Sequence, residues 1–143
     1  MEPGRTQSGA GLFGAVVVVR DLARSEEFYR EVLDLRVEAS SPEAVLLSGR
    51  SGDHLALRMR SSASHVSAGI GVLFLVWQAE TLHELDRCED VLRGRHAFVS
   101  RSGDDHGWQV LEGRDPDDIR VIVVVPTGDE SERTSVPSRV YDY

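Results

Sequence analysis

The chain has 143 residues, enough for one domain with a real core, and its 41% hydrophobic and 28% charged residues are ordinary for a globular protein. Twenty-four acidic against sixteen basic side chains give a net charge of -8, which argues against a nucleic-acid partner, since phosphate backbones need a basic face. The single cysteine, Cys88, allows no intrachain disulfide and suits a reducing compartment, while apolar runs such as Val16 to Val19 are far too short to cross a bilayer.

The opening stretch "MEPGRTQSGAG" lacks the charged-then-apolar order of a signal peptide, so a cytoplasmic location is expected. Residues 1–11 and 126–143 are polar, with little to bury, and are expected to be flexible ends around a single domain at 12–125. Val16 to Val19 is a β-branched run of the kind that forms a strand buried on both faces. Asp21 can cap a helix on which Phe28 with Val32, and Tyr29 with Leu33, share a face. Leu35 and Val37 open a second strand. "AVLLSG" and "HLALRM" follow as a hairpin across "GRSGD".

The same order then returns. "GVLFLVW", Gly71 to Trp77, reads as a strand, and Thr81 with Glu84 has capping-box spacing before a helix. The apolar face of that helix is Leu82, Leu85, Cys88 and Leu92. "HAFVS" and "GWQVL" form a hairpin across "RSGDD", "DPDD" turns the chain, and "IRVIVVV" is the last strand. Two β-α-β-β-β modules, about 12–60 and 69–125, make the fold class α+β with an internal repeat.

The segments "VRDLARSEEFYREVLDL" and "DPDDIRVIV" resemble the opening strand-helix and the closing turn-strand of the vicinal oxygen chelate superfamily. That superfamily includes glyoxalases, extradiol dioxygenases, fosfomycin-resistance enzymes and bleomycin-binding proteins. The resemblance covers about residues 12–126. It implies a curled mixed sheet, built from the two modules around a central cavity, and a homodimer. It also implies where a metal would be held, with one ligand from each of four strands. Counting from Asp21, from Gly52, through "FLV" and from Asp118 puts those positions at Gly14, Ala56, Gly71 and Ile122. None of these side chains offers a lone pair to a divalent ion, so no metal and no other cofactor is expected.

Carrying the parity of those positions along each strand gives the expected cavity face. It holds Val16, Val18 and Arg20, then His54 and Arg58, then Leu73, Leu75 and Trp77, and finally Arg120 and Val124. With Trp108 added, the expected ligand-binding set is Arg20, Arg58, Leu73, Leu75, Trp77, Trp108 and Arg120. An apolar floor with aromatic faces and cations at its edge suits a small aromatic or conjugated molecule. The competing readings are plain: Trp77 can be core filler, and the arginines can pair with surface acids. Asp104, Asp105, Asp115, Asp117 and Asp118 sit where turns favour aspartate. Cys88 reads as a buried small hydrophobe. His65, His83 and His96 show no metal spacing, which leaves His54 and His106, beside the hairpins, as the acid-base candidates.

The expected function is therefore a metal-free protein that sequesters a drug-like or natural-product ligand, as in antibiotic resistance or self-protection. The alternative is a metal-independent cyclase, isomerase or lyase of a biosynthetic pathway, with His54 or His106 as its base.

Overall fold

Each helix starts where a side chain caps it. Asp21 accepts a hydrogen bond from the Arg24 amide at 3.1 Å, and α1 runs Leu22–Leu33 until Asp34 turns left-handed at φ 53°. Thr81 accepts from the Glu84 amide at 3.1 Å and opens α2, Leu82–Gly94. Only half of the expected capping box forms, because the Glu84 carboxylate is held by Arg87 at 2.7 Å.

The computed structural model describes residues 9, 12–60, 72, 74–103 and 107–127. The strands are β1 (Gly14–Val19), β2 (Arg36–Ser40), β3 (Ala44–Ser48), β4 (His54–Met59), β5 (Leu75–Gln78), β6 (Phe98–Gly103), β7 (Trp108–Arg114) and β8 (Arg120–Pro126). They make two four-stranded mixed sheets, ordered β1-β4-β3-β2 and β5-β8-β7-β6, so the repeat read from the sequence is a repeat of topology. In each, the first and last strands pair in parallel through a helical crossover, and the rest is antiparallel hairpin. The sheets do not close on each other.

One core serves both modules. Val19, Val45, Leu47, Leu55 and Leu57 enter it from the first sheet, and Leu111, Val121, Val123 and Val125 from the second. Phe28, Val32, Leu85 and Leu92 fill it from the helices. The helices touch directly. Arg87 donates to the carbonyls of Glu31 and Val32 at 2.9 and 2.8 Å, and the Cys88 thiol donates to Val32 O at 3.1 Å. Carbonyls left over at the end of α1 are thus satisfied by side chains of α2.

The module ends also meet reciprocally. The Arg20 amide, just past β1, donates to Asp117 in the β7–β8 turn at 3.3 Å. Glu80, just past β5, pairs at 3.0 Å with Arg50 in the β3–β4 turn. The expected fifth strand, Gly71 to Trp77, is shorter and later, at Leu75–Gln78; Gly71 and Leu73 lie outside the described residues.

Candidate functional site

Strand register fixes which residues occupy the four expected ligand positions. β1 pairs with β4 so that Gly14 opposes His54 and Val16 opposes Ala56. β5 pairs with β8 so that Val76 opposes Ile122. Just as Gly14 precedes the Asp21 cap by seven residues, Phe74 precedes the Thr81 cap by seven. The second-module counterpart of Gly14 is therefore Phe74, not Gly71.

That correction is an odd number of residues, so it exchanges the faces of β5. Leu75 and Trp77 oppose Val121 and Val123 and pack on the helix-side core. Arg120 and Val124 share parity with Ile122 on the opposite face. The single face expected to carry Leu75, Trp77, Arg120 and Val124 is thus two faces.

The corrected set, Gly14, Ala56, Phe74 and Ile122, still contains no nitrogen, oxygen or sulfur donor in a side chain. Backbone spacing adds a second obstacle. A Cβ on Gly14 would lie 2.4 Å from the His54 carbonyl oxygen and 2.9 Å from its Cβ, so β1 and β4 approach too closely there to admit any side chain. Among the described residues no three His, Cys, Asp or Glu side chains come together as a metal-holding group. The donor set does not fit a divalent ion.

The same seam opens into a crevice. Where the start of β1, the β3–β4 turn and β5 converge there is a cavity of about 490 Å³, bordered by Phe13, His54, Leu75, Trp77 and the Arg50–Glu80 pair. The Phe13 and His54 rings stack with centroids 4.3 Å apart and planes 10° from parallel. Nδ1 of His54 is buried without a hydrogen-bond partner among the described residues. Trp77 also borders an adjoining cavity of about 360 Å³ that reaches Cys88. Of the sequence-derived candidates, His54, Leu75 and Trp77 are brought together here.

The others are dispersed. Arg20 is largely exposed, and among the described residues its side chain reaches only Asp117, at 3.7 Å. Arg58 is exposed on the first sheet, on the face turned from the helices, and Arg120 is half-buried on the matching face of the second. Trp108 is buried with Val110, Ile122 and Val124 in a smaller apolar cluster on that second face. Leu73 and His106, like His65, Asp104 and Asp105, lie outside the described residues.

Sequence reasoning missed Glu112. It opposes Ile122, shares parity with Trp108 and Val110, and is buried at 5% exposure, so it is an acid set into an apolar strand face. The signal was present in "WQVLE", where alternate residues are Trp, Val and Glu.

Two other groups are structural. The Asp115 carboxylate accepts from the Tyr29 hydroxyl at 2.7 Å and from the amides of Asp117 and Ile119 at 2.8 Å each. Burial pushes its pKa up despite those bonds, and burial beside Asp115 pushes the Tyr29 phenol up as well. Cys88 is a free, buried thiol that burial raises to about 11, which keeps it protonated and unreactive.

These features have a family. A model described as the glyoxalase/bleomycin resistance protein/dioxygenase superfamily matches residues 11–123. The chain belongs to this superfamily. Solved structures agree on the fold. A glyoxalase/bleomycin resistance protein/dioxygenase domain from Frankia sp. EAN1pec superposes with a TM-score of 0.71 at 23% identity, covering 83% of this chain and 99% of that one. Lactoylglutathione lyase from Agrobacterium tumefaciens gives 0.67 at 19% identity, covering 83% and 96%. The fosfomycin resistance protein FosX from Listeria monocytogenes gives 0.67 at 14% identity, covering 89% and 100%. No curated protein matches the chain. No helix among the described residues of this superfamily member is long and apolar enough to cross a membrane.

Proposed function

We propose that this superfamily member is a metal-independent binding protein that sequesters a flat, drug-like or natural-product ligand in the crevice bordered by Phe13, His54, Leu75 and Trp77. The observation that carries the reading is Gly14 against His54, a strand approach that leaves no room for a ligand side chain at the first metal position. The crevice offers what a binder of planar molecules needs: aromatic walls, an apolar floor and a few polar groups at the rim. Resistance by sequestration is compatible with a fold shared with a fosfomycin resistance protein.

A homodimer belongs to the same proposal. Leu12, Val16 and Val18 are exposed by 89, 66 and 44%, apolar side chains at even positions of β1 and its approach that a second copy would cover.

One observation favours an enzyme instead. His54 borders the crevice, and its buried Nδ1 has no hydrogen-bond partner among the described residues, which suits a general base. Fluorescence titration with planar polyketide and peptide antibiotics separates the two readings. Sequestration predicts tryptophan quenching, recovery of the ligand unchanged, and a loss of about 1–3 kcal/mol in binding for Trp77→Ala. His54→Ala then alters affinity modestly. A product whose formation drops about 10²- to 10⁴-fold in His54→Ala, with affinity kept, contradicts sequestration.

A further inference from the structure

Away from the crevice, the first half of α1, the α2–β6 connection and the end of β7 enclose a cavity of about 210 Å³. Its lining includes Arg24, Phe28, Arg95, His96, Arg114 and Asp115. In a chain of net charge -8, three arginines lining one hollow are out of keeping with the surroundings. They are not there to neutralise the one acid in the lining. Both Asp115 oxygens are already taken, by the Tyr29 hydroxyl and by two amides of its own turn.

The donors are underused. The Arg24 side chain makes no hydrogen bond or ion pair among the described residues; only its backbone amide is engaged there, donating to Asp21. Arg114 donates to the Asp118 carbonyl at 3.2 Å and stands 4.0 Å from the carboxylate of Asp118, which is itself 88% exposed and so contributes little. Arg95 spends one terminal nitrogen on Glu27 and Glu31, but its Nε is buried with no acceptor among the described residues. A buried N–H on a charged group without an acceptor is costly, which makes it the atom a ligand would relieve.

We propose that this hollow is a binding site for a phosphate group. Arg95 carries one charge against two glutamates, so the positive charge that meets the ligand comes from the unpartnered Arg24 and the weakly paired Arg114, and Arg95 Nε–H supplies a directed hydrogen bond. Guanidinium forks suit a tetrahedral oxyanion. Phe28 forms an apolar wall beneath Arg95, whose guanidinium carbon lies 5.9 Å from the ring centroid. The volume exceeds that of the bare ion, so the phosphate can be free or carried on a small organic molecule.

Titration calorimetry on the full chain tests this, with inorganic phosphate and ribose 5-phosphate in separate runs at ionic strength fixed by chloride. The expected result is saturable binding of one phosphate group per chain, weakened at least tenfold by Arg24→Ala and by Arg114→Ala, and unaltered by Arg60→Ala. Arg24 and Arg114 both reach solvent, so their variants keep the fold, and melting in chloride alone verifies it. A ribose 5-phosphate affinity tenfold or more above that of inorganic phosphate assigns the site to a phosphorylated metabolite. Equal affinities assign it to the free ion. No saturable binding of either, or an affinity that survives both arginine substitutions, overturns the proposal.

Discussion

Asp115 turns a local turn residue into a tie between modules. Its Oδ1 organises the β7–β8 turn, a role legible in "DPDD" because turn bonding spans only a few residues. Its Oδ2 takes the hydroxyl of Tyr29, 86 residues earlier, and nothing in the sequence pattern announces that partner. Removing the hydroxyl in Tyr29→Phe leaves a buried carboxylate oxygen without its donor, a loss of about 1–3 kcal/mol in chemical denaturation at neutral pH. The pH dependence has a definite sign. Burial raises the folded-state pKa of Asp115, so its contribution to stability is fullest below the ordinary carboxylate range and is lost as pH rises through the raised value. The cost of Tyr29→Phe therefore shrinks in acid, where the carboxyl is protonated, and an equal cost at pH 4 and pH 7 would count against this account.

Among the elements, the helices were the most legible because caps and apolar faces are local. Asp21 and Thr81 cap as their spacing implies, and Phe28, Val32, Leu85, Cys88 and Leu92 are buried as their periodicity implies. The face of β5 was not legible. "LFLVW" is apolar at every position, so alternation gives no parity, and only pairing with β8 shows that Leu75 and Trp77 turn to the helices. The dispersal of Arg20, Arg58 and Arg120 follows from the same kind of information, the placement of distant strands. At Gly14, β1 lies against His54 of β4 with no room for a Cβ. The three atoms nearest a new Cβ all belong to His54, two of them backbone, so Gly14→Ala has to shift β1 on β4. A loss of about 1–3 kcal/mol is expected from thermal melting, as for overpacking elsewhere. A neutral Gly14→Ala would mean that the strands can separate enough to accept a ligand side chain.

At the scale of the whole molecule, duplication of one β-α-β-β-β module produces two sheets, one shared core and two reciprocal seams. The seams at Arg20–Asp117 and Arg50–Glu80 have diverged in what they hold. The second carries the aromatic crevice, and the repeat that made the fold readable from sequence gave no sign of that difference. Under the proposed function, the crevice holds an unaltered ligand without a metal. Native mass spectrometry of the purified protein with a panel of planar polyketide and peptide antibiotics tests it in one measurement. The account predicts complexes at the mass of the chain plus intact ligand, with no divalent ion per chain and no change after chelation. Complexes that require about one metal per chain, or a bound species with the mass of a reaction product, would contradict it.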